Sequence, residues 1–198
     1  MARSNAEAEA PPDDAELMRA SRQQPEQFAG IFRRYFAEVH RYVARRVGVE
    51  AAGDVVAESF LEAFRSRERF DPDRGGVRPW LYGIATNRIG SHRRAERRYL
   101  AVLARTHAEG FAEDHGDRVG DRVDAGSAGD VLARALADLP DADRDVLLLV
   151  ALADLSYGET ARALGIPEGT VASRLNRARR KLREALDDNT RTRTSRSG

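Results

Sequence analysis

The sequence predicts an all-α protein: two small helical domains joined by a flexible acidic linker, the C-terminal domain carrying a helix-turn-helix. Three observations lead there. Apolar residues recur in steps of three and four through most of the chain, the spacing of a helix with one buried face. No run shows the sustained alternation of a half-buried strand. One stretch, residues 109–130, holds seven acids and five glycines with no apolar period, which is linker chemistry.

The elements follow in order. Residues 1–16 carry five acids against one arginine, with Pro11 and Pro12, and predict a disordered acidic arm. A domain then spans 17–100. From Phe28 to Val47, Ile31, Phe32, Tyr35, Phe36, Val39, Tyr42 and Val43 make a broad buried stripe. Gly48 and Gly53 punctuate a turn, and Asp54 stands where an N-cap would, ahead of Val55, Val56, Phe60, Leu61 and Phe64. Residues 70–76, Phe-Asp-Pro-Asp-Arg-Gly-Gly, form a loop. A long helix runs from Val77 to about Arg98, tolerating Pro79 in its first turn.

Residues 101–130 are expected to be linker, 131–186 a second domain and 187–198 a frayed polar tail. Within the second domain, Val131 to Leu139 make a helix stopped by Pro140, and Asp141 to about Ala153 make another with Val146, Leu147 and Val150 inside. Ser156-Tyr157-Gly158-Glu159 is a capping box, in which serine and glutamate satisfy each other's free N–H groups. Gly165 ends that short helix and Pro167 leads into a long one, with Val171, Leu175, Ala178, Leu182 and Leu186 on one face.

The charge pattern gives the chemistry. The 198 residues include 33 basic and 32 acidic side chains, for a net charge of +1. Read as one number, that argues against a nucleic-acid binder. Read locally, it does not. The acids gather in the arm and the linker, at −4 and −5, while residues 86–98 carry +4 and residues 168–183 carry +5. Charges further apart than ~8–10 Å are largely screened at physiological salt, so local patches set phosphate attraction.

The 168–183 helix has an apolar back and a front offering Thr170, Ser173, Arg174 and Arg177. A recognition helix that enters the major groove needs that combination. The 86–98 cluster joins Arg88, Arg93, Arg94, Arg97 and Arg98 to Asn87 and His92, with Trp80 and Tyr82 upstream. Basic residues beside aromatic rings suit exposed bases.

Other classes drop out. There is no cysteine, hence no disulfide and no thiolate metal site. Neither a secretory leader nor an apolar run long enough to span a membrane is evident. No phosphate-binding glycine loop, zinc-peptidase string or nucleophile elbow occurs, and the four histidines are scattered, so no enzyme, cofactor or metal is expected.

The strings Asp54-Val-Val-Ala-Glu58-Ser-Phe60-Leu-Glu-Ala-Phe64, Pro79-Trp80-Leu81-Tyr82-Gly-Ile84-Ala85-Thr-Asn87 and Ser156-Tyr157-Gly-Glu159…Leu164-Gly165-Ile166-Pro167-Glu-Gly169-Thr170-Val171 occur in one chain. Together they resemble a bacterial RNA polymerase sigma factor of the extracytoplasmic-function (ECF) class. The resemblance covers roughly residues 25–100 and 130–186.

It implies a cytoplasmic protein that binds core RNA polymerase, through the clamp helices of the largest subunit and the flap of the second-largest. That protein would recognise and melt promoter DNA. Asp54 and Glu58 would face the clamp. Loop 70–76 would pocket a flipped base, and Trp80, Asn87, Arg88, His92, Arg93 and Arg94 would serve minus-ten recognition and melting. Glu168, Thr170, Ser173, Arg174 and Arg177 would read the minus-thirty-five element. An anti-sigma factor would be a further partner, with no direct membrane insertion. The alternatives are a stand-alone helix-turn-helix regulator and an adaptor that binds protein rather than DNA.

Overall fold

The computed structural model describes residues 13–110 and 128–196 and contains eight α-helices among them. They are α1 (Asp14–Ala20), α2 (Phe28–Val47), α3 (Val49–Ser66), α4 (Val77–Gly110), α5 (Ala128–Ala137), α6 (Asp141–Leu152), α7 (Tyr157–Leu164) and α8 (Glu168–Arg196). The N-terminal twelve residues of the expected arm and residues 111–127 of the expected linker lie outside the described residues.

The N-terminal domain packs α2, α3 and α4 around Ile31, Val39, Tyr42, Val43, Val56, Leu81, Ala85 and Ile89, all nearly or fully buried. Helix α1 was not anticipated, because its first residues were assigned to the acidic arm. The signal was there: Asp13 and Glu16 form a reciprocal capping box, with the Asp13 carboxylate accepting from the Glu16 backbone N–H at 2.6 Å. The cap places Leu17 and Met18 in the core, and the Asp14 carboxylate accepts hydrogen bonds from Arg34 and Tyr35 of α2.

Three boundaries differ from expectation. Gly48 turns the chain by itself at φ +84°, so α3 starts at Val49; Asp54 lies inside the helix and caps nothing. The segment after Arg98 has neither glycine nor proline before Gly110, and α4 continues to that residue. For the same reason α8 runs past Leu186 to Arg196, where a frayed tail was expected.

The C-terminal domain buries Leu139, Val146, Leu147, Val171, Leu175 and Ala178 in a second core. The two domains also touch. Leu149, Ala153 and Leu155, in and just after α6, are at most 2% exposed and belong to the N-terminal core. Helix α6 therefore has two apolar faces, one for each domain. The uninterrupted run from Val146 to Ala153 is the sequence signal for such a helix.

Candidate nucleic-acid interface

The helix-turn-helix forms as its caps dictate. Ser156 Oγ accepts from the Glu159 backbone N–H at 3.2 Å, and Glu159 Oε2 accepts from the Ser156 backbone N–H at 2.9 Å. The bond from the Ser156 backbone, and after it the Ser156 hydroxyl donating to the same Oε2 at 2.8 Å, hold the Glu159 carboxyl below the ordinary range. Gly165 closes α7 in the left-handed conformation at φ +64°, where a side chain would be strained. Helix α8 then lays Val171, Leu175 and Ala178 into the core at 0% exposure.

That registry turns the opposite side of α8 outward. Glu168 and Ser173 are exposed, and Thr170 and Arg174 are half-buried at the edge of the domain. Arg177 is the exception among the expected contacts. Its Nε and Nη2 donate to both oxygens of Asp143 at 3.1 and 2.9 Å, and Asp143 is buried. The hydrogen bonds to that carboxylate raise the Arg177 pKa. Asp143, on α6, thus fixes the fork of a recognition-helix arginine, a residue pairing that spacing within α8 alone does not reveal.

On α4 the expected residues fall into two groups. Trp80 and Asn87 border one cavity of about 580 Å³, together with Phe70, Asp71, Arg74 and Gly83. The Trp80 ring lies 5.1 Å from Phe70, centroid to centroid, and is half-buried; Asn87 is exposed. Loop 70–76 supplies the rim, shaped by a bond from the Asp73 backbone N–H to the Asp71 carboxylate at 3.0 Å and by Gly75 at φ +141°.

The basic residues lie elsewhere on the helix and are largely engaged. Arg88 donates to Glu62 at 2.6 Å and sits 3.9 Å from Glu58. Arg93 donates to the Arg46 carbonyl at 2.6 Å, and burial lowers its pKa. Arg94 is exposed and donates to Ser91 Oγ at 3.1 Å, while His92 is half-buried.

The two acids expected to face polymerase, Asp54 and Glu58, are exposed on α3. Beside them the structure corrects the reading of α2. Phe32 and Phe36 were assigned to the buried stripe but are about two-fifths exposed, and Leu61 is exposed as well. Phe32 packs edge-on to Phe60 at 4.9 Å and leans on Phe36 at 5.0 Å. An apolar stripe broader than a helix can bury leaves its margin in water. Here that margin is an aromatic patch next to two carboxylates, which the sequence stripe did not separate from the core.

The α4 cavity has a second wall. Arg162, Ala163 and Gly165, at the end of α7, complete it from the C-terminal domain. Arg46 reaches across the same junction, donating to Asp145 of α6 and, at 2.7 Å, to the Tyr42 hydroxyl, which pairs with Thr86 Oγ1 at 2.9 Å. Arg78 donates to Glu38 at 3.2 Å and to the Ala153 carbonyl at 2.6 Å. None of the described helices is long and apolar enough to cross a membrane.

Comparison with known proteins agrees with this geometry. Residues 31–99 match the model for Sigma-70 region 2 and residues 130–182 the model for Sigma-70, region 4. The ECF RNA polymerase sigma factor SigL of Mycobacterium tuberculosis is 34% identical over 176 residues, covering 88% of this chain and 92% of SigL. SigW of Bacillus subtilis, another ECF sigma factor, is 32% identical over 168 residues, covering 81% of this chain and 89% of SigW.

Among solved structures, CnrH in complex with the cytosolic domain of CnrY superposes with a TM-score of 0.60 at 26% identity. The match covers 88% of this chain and 97% of that one. RpoE of Bartonella quintana, solved with the anti-sigma factor NepR, shares the fold, with a TM-score of 0.57 at 22% identity over 82% of this chain and 98% of that one. A helix-turn-helix and a cavity-bearing aromatic helix in one chain, with matches over both domains, make this protein a member of the ECF family of RNA polymerase sigma factors, which bind core polymerase and direct it to promoters.

Proposed function

We propose that the chain divides promoter reading between its two basic helices. The first turns of α8, with Glu168, Thr170, Ser173, Arg174 and Arg177, read the minus-thirty-five element in the major groove. The α4 face holds the minus-ten region: Trp80, Asn87 and loop 70–76 take a flipped base, and Arg88, His92, Arg93 and Arg94 line the path of the strands. The observation that carries this reading is the registry of α8. Its back is wholly buried at Val171, Leu175 and Ala178, so its polar front has no place inside the protein.

On α3, Asp54 and Glu58 dock on the clamp helices of the largest polymerase subunit. The exposed Phe32, Phe36 and Leu61 beside them add the apolar centre that a stable contact needs. The C-terminal domain meets the flap of the second-largest subunit. The protein contributes no catalytic group; the chemistry of RNA synthesis stays with the polymerase, and the site of action is the cytoplasm, where polymerase works. The Bartonella relative was solved with an anti-sigma factor. On that likeness, an anti-sigma factor is a partner of this chain too.

Run-off transcription tests the reading. Core polymerase supplemented with this chain transcribes a selected promoter and fails on one scrambled at either element. Unchanged polymerase output would refute it. Tight, sequence-specific operator binding by the chain alone would instead favour a stand-alone regulator.

A further inference from the structure

We propose that Arg22, just past the end of α1, is a positioning residue for minus-ten recognition: it fixes the backbone of Phe70, where the flipped-base loop begins. This rests on loop 70–76 taking the flipped base, a reading in which α1 and its flank have no part.

The loop hangs between two buried anchors, Phe70 at 6% exposure and Val77 at 1%. Its direction is set at Phe70, whose backbone is extended at φ −65° and ψ 127°. Both backbone polar groups of Phe70 are taken. Its N–H donates to the Arg67 carbonyl at 3.2 Å, and its carbonyl accepts from Arg22 Nη2 at 2.7 Å. The first bond is local. The second crosses 48 residues and comes from outside the α2–α4 bundle.

Arg67 returns the contact. Its Nε donates to the Ser21 carbonyl at 3.0 Å and its Nη1 to the Phe64 carbonyl at 2.7 Å, and its guanidinium lies 4.0 Å from the centre of the Phe64 ring. Two arginines, one on each segment, thus donate to backbone carbonyls of the other. Bonds from a charged donor are stronger than neutral ones, and a planar guanidinium fixes direction as well as distance. The clasp holds the loop only if α1 is itself held, and it is. Met18 is 1% exposed and Ser21 0%, Ser21 Oγ donates to the Met18 carbonyl at 2.8 Å, and Asp14 accepts from Arg34 and Tyr35 of α2.

What the clasp fixes is part of the cavity wall. Phe70 and Trp80 both line the Trp80–Asn87 cavity, with their ring centroids 5.1 Å apart. A matched base needs the loop ordered around it, whereas a base refused by the pocket does not. The apparent affinity for a matched element scales with the fraction of chains whose loop is already in place. Loosening Phe70 therefore weakens the matched promoter and spares the mismatched one.

Arg22 is exposed and lies outside α1, so Arg22→Ala should keep parental helix content by circular dichroism. In assembled holoenzyme, we expect discrimination between a matched minus-ten element and one substituted at the flipped base to fall about two- to tenfold, the net worth of one hydrogen bond. Discrimination at minus thirty-five should stay parental. Arg22→Lys, which keeps a charged donor, should recover part of the loss. The single tryptophan gives a second readout on the free chain, where Trp80 emission should become more quenchable as Phe70 loosens.

Parental minus-ten discrimination in the folded Arg22→Ala variant would overturn the proposal. So would equal weakening on matched and substituted elements, the mark of a phosphate contact. Asp71→Ala, which removes the acceptor that shapes the loop, separates this role from the reading beneath it. If Asp71→Ala loses discrimination and Arg22→Ala does not, the role of Arg22 falls alone. If neither loses it, the loop reading falls as well.

Discussion

The two basic helices were equivalent as strings and are opposites in space. Both carry arginines beside short polar residues on an amphipathic helix. On α8 the front is open, and one arginine, Arg177, is steadied by a buried acid behind it. On α4 the aromatic end is covered by the other domain, and Arg88 and Arg93 are engaged with α3 and with the end of α2. The difference teaches that charge spacing locates a nucleic-acid surface without saying whether that surface is available. Availability depends on what else in the fold needs the same face.

The largest expected effect separates the two helices through α6. Leu149 is 0% exposed and packs in the N-terminal core, outside the cluster that supports α8. Leu149→Ala should therefore cost the docked state about 2–5 kcal/mol, the usual range for a buried leucine truncation. Thermal melting together with Trp80 emission checks this. The expected result is a loosened junction with α8 still folded; equal loss of both would erase the distinction.

A middle-sized effect sharpens the open side. Arg174→Ala should reduce discrimination at the minus-thirty-five element by about 1–3 kcal/mol if the contact is a bidentate base reading. Competition between matched and scrambled elements on assembled holoenzyme measures it. Equal weakening on both would make Arg174 a phosphate contact.

The smallest effect lies at the cap of α7, which serves both sides. The Glu159 carboxyl is depressed in the folded state, chiefly by its bond from the Ser156 backbone. Its contribution is thus full above the ordinary carboxylate value of 4.5 and is lost as pH falls through the lower folded value. Glu159→Gln should remove that acid-side dependence and cost about 0.5–1 kcal/mol at neutral pH. Denaturant melts at pH 7 and near pH 4 provide the comparison.

Much of this was legible in the sequence. The Ser156–Glu159 capping box, the glycine stop of α7 and the α8 stripe are local physics, and each stands where the residues placed it, whereas the cap expected at Asp54 does not form. The exposed margin at Phe32 and Phe36 was not legible, because periodicity reports which side of a helix is apolar and not how much of that side a neighbour can reach. The run at Val146–Ala153 contained the clue to domain docking. One amphipathic period accounted for Val146, Leu147 and Val150, so the remaining apolar residues had no assigned partner. Arg46 was invisible for another reason: its acid is 99 residues away.

Helix α6 has one further consequence, for how the molecule comes apart. Since its side chains sit in both cores, neither core can melt without stripping atoms from the other. The free protein should unfold in a single calorimetric transition, as one cooperative unit. A variant whose junction is already open should show two.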